Sequence, residues 1–139
     1  MHLGLVGYGN IGRTLTGLLE KAPVSRITVL VRAAYRDALA GEVQDSRAAG
    51  RIDVTGEVDA LVAARPDVAV ECAGQGALAD FGPVMLRAGI PVIAASVGAL
   101  ADAALFDALK AAAQRGGAQR RARTRFLPAF EQGRARGRA

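Results

Sequence analysis

Gly7, Gly9 and Gly12 stand at G-x-G-x-x-G spacing in the stretch GLVGYGNIG, close to the first residue. Spacing alone carries little weight, because 17 glycines in 139 residues supply such patterns by chance. The flanking residues carry more. His2 to Val6 is a short apolar run, and Ile11 to Glu20 places Ile11, Leu15, Leu18 and Leu19 at helical spacing. A strand, a glycine turn and a helix in that order form a phosphate cradle. Gly7 permits the tight turn, Gly9 lets backbone approach a pyrophosphate, and Gly12 lets the helix pack closely on the strand. The helix start at Asn10 and Ile11 then aims free N–H groups and the positive end of its dipole at the phosphates. The turn is a candidate dinucleotide site; a glycine turn without a ligand is the alternative.

Arg32 is the second candidate. An NAD site usually carries an acid at the end of the second strand, about 20 residues beyond the glycines, to hold ribose hydroxyls. Here the text is LVRAAYRD, with Arg32 in that place and Asp37 the nearest acid. No carboxylate repels a 2′-phosphate there, and Arg32 could pair with one. NADP therefore stands level with NAD, and use of both fits the pattern. A solvated strand-end residue is the other reading of Arg32.

The elements that must position these residues alternate along the chain. RITVLVR (Arg26 to Arg32) reads as a second strand, and Ala33 to Gly50 as partly helical with a loop near QDSRAAG. Ile52 to Thr55 reads as a third strand and Val58 to Ala64 as a short helix. Asp67 to Cys72 is a near-continuous apolar run, as suits a parallel strand covered on both faces. Gly76 to Ala88 reads as a helix with a break or fresh start at Pro83. Ile90 to Ala95 makes a fifth strand and Ala101 to Gln114 a helix, stopped by Gly116-Gly117. Alternating strands and helices predict a single-domain α/β fold, a Rossmann-type doubly wound parallel sheet of five or six strands. In such sheets ligands sit beyond the carboxyl ends of the strands. That singles out the loops Gly7–Gly12, Val31–Ala33, Cys72–Gly76 and Ser96–Gly98.

Composition excludes several classes. No apolar run reaches the roughly 18 to 20 residues that span a bilayer, so no membrane partner is expected. One cysteine, Cys72, and no export signal fit a reducing cytoplasm. One histidine and one cysteine leave no metal-ligand cluster. The net charge of +5 is uneven. Residues 1–114 hold 10 Lys and Arg against 12 Asp and Glu, whereas residues 115–139 hold 8 Arg against Glu131 alone. The basic character belongs to the tail.

Two further stretches narrow the class. VECAG (Val70–Gly74) follows the fourth strand and ASVGAL (Ala95–Leu100) the fifth. With GYGNIG at the start and RPD before the fourth strand, they resemble the L-aspartate dehydrogenase family from about residue 2 to Gly117. The resemblance implies oxidation of L-aspartate with NAD or NADP to iminoaspartate, which gives oxaloacetate and ammonia or feeds NAD biosynthesis. It implies an N-terminal Rossmann domain and a C-terminal α/β domain carrying the catalytic histidine and the dimer contact. It assigns Gly7, Gly9, Asn10, Ile11 and Gly12 to the phosphate loop. It assigns Cys72, Ala73 and Gly74 to a loop near the nicotinamide-side ribose, and Ser96, Val97 and Gly98 to a loop closing the cleft. The residues themselves leave blander readings. Cys72 could be a packed small residue, Glu71 a general base or a polar strand end, and Ser96 has no triad partners. His2 cannot match the family's catalytic histidine.

The text departs from the family after Gly117. A motif of the form LPAGAIGG is expected there, whereas Leu127-Pro128-Ala129 is followed by FEQGRARGRA. Residues 1–117 are thus expected to form the cofactor domain, and 118–139 a disordered or non-native tail from a truncated or frame-shifted gene. No catalytic residue is expected in the chain, and L-aspartate would be a partner only if a catalytic domain were supplied. Surface left uncovered would favour a homo-oligomer. The alternative is a dinucleotide-sensing module whose basic arm binds nucleic acid or an acidic partner. Nucleic acid is disfavoured, because the tail offers only Phe126 and Phe130 for stacking and has no period.

Overall fold

The computed structural model describes residues 1–117, and the expectations for residues 118–139 lie outside it. Five parallel strands, β1 (His2–Val6), β2 (Arg26–Leu30), β3 (Ile52–Thr55), β4 (Val68–Glu71) and β5 (Val92–Ala94), form one sheet in the order β3-β2-β1-β4-β5. The helices are α1 (Asn10–Leu18), α2 (Ala33–Gln44), α3 (Val58–Ala63), α4 (Gln75–Arg87) and α5 (Ala103–Gly116). This is the α/β Rossmann-type doubly wound sheet that the alternation predicts.

Side-chain alternation divides the core in two. Leu3 and Leu5 of β1 and Ile27 and Val29 of β2 join Leu39 and Val43 of α2 on one face. Val6, Leu30 and Ala69 point the other way, onto Leu61, Leu78, Met85 and Leu109 of α3, α4 and α5. Both faces of β1 are therefore dry, and its ends are fixed. His2 pairs with Arg26 and Val6 with Leu30 and Glu71.

Several boundaries differ from the sequence expectation. β2 stops at Leu30, two residues early, because Arg32 turns into the N-cap of α2. β4 and β5 are likewise shorter than the apolar runs that contain them. α4 runs unbroken through Pro83, against the expected break. The preceding residue is Gly82, which lacks the Cβ that clashes with a proline ring. A Cβ there would also lie 2.7 Å from Leu109 Cδ2, so α5 packs against the helix at this turn. Residues Val97–Ala101 form a 3-10 turn, and α5 starts only after Asp102, whose carboxylate accepts from the N–H groups of Ala104 (2.9 Å) and Leu105 (3.2 Å). Gly117 ends α5 in the left-handed region, φ 62°, as a C-terminal glycine does.

Candidate dinucleotide-binding site

The order in which strands are added reverses between β1 and β4, which run parallel. The strands after β1 build outward to β2 and β3, then the chain returns to β4 on the other side. Helices diverge at such a point and leave a crevice beyond the strand ends. A cavity of about 810 Å³ opens there, within the usual range of ligand pockets.

Gly7 marks the tightest place. Its φ is +94°, and a Cβ would lie 2.8 Å from Ala73 Cβ and 2.9 Å from Ala73 Cα. The two turns that follow β1 and β4 thus touch at a position only glycine can occupy. At Gly12 a Cβ would meet the Gly7 carbonyl oxygen at 2.8 Å, so α1 sits directly on the turn. At Gly9 nothing lies within 4 Å, and the residue faces the cavity. Gly9 caps α1 without a side-chain hydrogen bond, and the first turn holds no acid. Backbone N–H groups at this end are available to an anion.

The structure gathers some of the candidate residues and separates others. Gly7, Gly9, Arg32, Cys72, Ala73 and Gly74 line the cavity together. Asn10 and Ile11 start α1 beside it, with Ile11 57% exposed, and Gly12 is buried beneath it. Ser96, Val97 and Gly98 stand apart from the wall. Gly98 comes near it only through Gln75, whose Nε2 would lie 2.9 Å from a Cβ.

Glu71 explains where Ser96 goes. The carboxylate is fully buried at the end of β4. Its Oε1 accepts from the N–H groups of Ala73 (2.8 Å) and Gly74 (2.9 Å) and from Ser96 Oγ (3.0 Å). Its Oε2 accepts from Ser96 N–H (3.2 Å). Four donors replace the water that a buried carboxylate loses. Of the two readings of Glu71, geometry favours a structural group: it pins the Cys72–Gly74 turn to the loop after β5.

Cys72 is half-buried, and its Sγ donates to the carbonyls of Val6 (3.4 Å) and Gly7 (3.5 Å). Burial pushes its thiol pKa up, and the neighbouring Glu71 charge adds to that. A thiol held protonated is a packing residue rather than a nucleophile. His2 starts the central strand β1, at the end opposite the cavity, with Nε2 2.8 Å from Thr28 Oγ1.

Sequence reasoning missed one wall. Tyr35, Ala38, Leu39 and Glu42 fall at i, i+3, i+4 and i+7, so one stripe of α2 faces the cavity. Arg13 of α1 reaches across to Glu42, with Nη2 2.9 Å from Oε2 and Nη1 on Oε1. Its guanidinium also lies 5.0 Å from the centre of the Tyr8 ring. Arg32 stacks on Tyr35 at 4.9 Å. The helical period of that stripe was the available signal, but Ala33–Gly50 is too rich in alanine and charge for a face to stand out.

A parallel sheet with this strand order, a glycine turn at its switch point and a cavity beyond it define a Rossmann-type dinucleotide-binding domain. Residues 7–122 match the family model described as "Homoserine dehydrogenase, NAD binding domain", and the chain belongs to that family. The chain is 42% identical over 119 residues to L-aspartate dehydrogenase 1 of Bordetella pertussis, covering 86% of this chain and 43% of that protein. The L-aspartate dehydrogenase of Cupriavidus necator is 36% identical over 124 residues, with the same coverage. A crystal structure of aspartate dehydrogenase from Thermotoga maritima superposes with a TM-score of 0.57 at 20% identity, over 82% of this chain and 41% of that one. That likeness bears on the fold. The chain spans less than half the length of the curated relatives it matches.

Proposed function

We propose that residues 1–117 hold NAD or NADP as the cofactor-binding part of an L-aspartate dehydrogenase. The observation that carries the cofactor reading is the fit at the switch point. Gly7 closes the turn against Ala73, while Gly9 leaves open space above the uncapped start of α1. A pyrophosphate placed there meets backbone N–H groups and the positive end of the helix dipole. Arg32, the N-cap of α2 just past the end of β2, lines the cavity on the side where a Rossmann-type cofactor would set its adenine ribose. Among the described residues it makes no ion pair, so its charge is available to a 2′-phosphate, which favours NADP over NAD. The Cys72–Gly74 turn, braced by Glu71, borders the other half of the cofactor.

When bound, the nicotinamide supplies a two-electron acceptor for an amine-bearing carbon. The chain's own residues bind and orient it, and the apolar wall at Val6, Leu30 and Phe81 keeps water from part of the cleft. Among the described residues no histidine lies at the cavity, because His2 starts β1 and the cavity opens beyond the other end of that strand. Proton transfer from L-aspartate and the clamp on its carboxylates are therefore assigned to residues beyond 117 or to another chain. A cytoplasmic site of action fits this reading, and the single cysteine, Cys72, has no partner within the chain for a disulfide.

Titration of the 139-residue chain with NADH and NADPH, followed by cofactor fluorescence, tests the proposal. Saturable binding of one or both is expected, with little or no aspartate-dependent turnover by the chain alone. Arg32→Ala is expected to weaken NADPH about tenfold or more, in line with loss of a charge-assisted hydrogen bond, and to spare NADH. Absence of saturable binding overturns the reading.

A further inference from the structure

The α2 side of the cavity holds two arginines, and one of them is already taken. Arg13 and Arg32 both line it, each stacked on a tyrosine, Tyr8 and Tyr35. Arg32 makes no ion pair among the described residues, whereas Arg13 gives both terminal nitrogens to Glu42. Glu42 belongs to the helix that follows β2, so its contact draws Arg13 toward the strand end where an adenine ribose would lie.

We propose that Glu42 is an internal competitor for Arg13, which a 2′-phosphate must displace to be held between Arg13 and Arg32. This inference rests on the cofactor reading above and concerns the choice between NADP and NAD. Glu42 presents a planar carboxylate in the two-pronged geometry that arginine also offers a phosphate. A phosphate monoester brings more charge and a third acceptor oxygen, enough for a second arginine. The existing pair is exchangeable. Both side chains are about half exposed, at 48% and 52%, and exposed pairs are weak. Tyr8 then matters, because its ring face keeps the guanidinium in place after Glu42 lets go. A cofactor without the 2′-phosphate brings no monoester to compete with the Glu42 carboxylate at that end of the cavity and leaves the pair intact. Glu42 thereby lowers the preference for NADP and lets one site serve both cofactors.

Glu42→Gln tests this in the full 139-residue chain, with NADPH, NADH and the fragment 2′,5′-ADP as calorimetric probes. Removing an exposed competing pair is expected to tighten NADPH and 2′,5′-ADP about two- to fivefold, with NADH changed less than either. In an Arg13→Gln background the same substitution is expected to do nothing, which assigns the gain to Arg13. An equal gain for NADH, no gain at all, or a gain that survives Arg13→Gln overturns the competitor role and leaves the cofactor reading standing. If the unsubstituted chain binds none of the probes, both fall together.

Discussion

Ser96 touches the same buried carboxylate twice: its N–H reaches Glu71 Oε2 at 3.2 Å and its hydroxyl reaches Oε1 at 3.0 Å. Because Oε1 also holds the N–H groups of Ala73 and Gly74, this pair joins the turn after β4 to the loop after β5. Ser96 therefore shapes the cleft without lining it.

Substitutions at this pair should differ in cost. Glu71→Gln keeps one oxygen for three donors but turns an NH₂ toward Ser96 N–H, leaving two buried donors facing each other. A loss of about 2–3 kcal/mol is expected, against about 1 kcal/mol for Ser96→Ala, which removes one hydrogen bond. Urea unfolding checks the order. Equal costs would show that the backbone donors find other acceptors.

Gly7 and Gly9 should separate stability from binding. Gly7→Ala places a methyl 2.8 Å from Ala73 Cβ at a φ of +94°, and a cost of at least about 1–2 kcal/mol is expected. Gly9 has φ −81° and open space, but it is the N-cap of α1, where alanine is poorer than glycine, so Gly9→Ala should cost no more than about 1 kcal/mol. The same methyl stands between backbone and phosphate, and dinucleotide affinity should fall. Thermal melts paired with cofactor titrations read both quantities on each variant. A Gly9→Ala chain that binds normally contradicts the assigned role.

Cys72 should be slow to alkylate. Its thiol is held above the ordinary value by burial, then by the Glu71 charge, and both carbonyl contacts favour the protonated form. With iodoacetamide at pH 8, the native chain is expected to react well below the rate of the same chain in denaturant. Matching rates would place Cys72 among accessible thiols.

His2 gives a pH signature unrelated to the cleft. Burial, then the nearby Arg26 charge, lowers its pKa below the ordinary 6.5. The folded state thus binds the proton less readily than the unfolded chain. Its contribution is fully present above about pH 6.5 and is lost as pH falls through the lower folded value. The acid-side slope of stability near pH 6 should shrink in His2→Gln, as read from melts between pH 5 and 8.

The glycine spacing and the apolar strand runs were legible in the sequence because each follows from local rules, whereas VECAG and ASVGAL were legible only through the resemblance to a family. A turn at positive φ needs glycine, and a doubly covered strand needs continuous apolar residues. Helix α4 continues through Pro83 against the expected break, because Gly82 carries no Cβ to clash with the proline ring, and the close packing of Leu109 on that glycine is a contact distant in sequence. Ser96 was read as part of the cleft, and only the position of β5 beside β4 shows that Glu71 claims it.

The sequence by itself determined the order of elements and the place of the glycine turn, since periodicity and glycine chemistry act over a few residues. Only tertiary structure decided which polar groups meet. Arg13 with Glu42 spans 29 positions, and Glu71 with Ser96 spans 25. Such pairs depend on how helices and strands pack across the sheet, and hydrophobic burial, which drives that packing, carries no local signature of them.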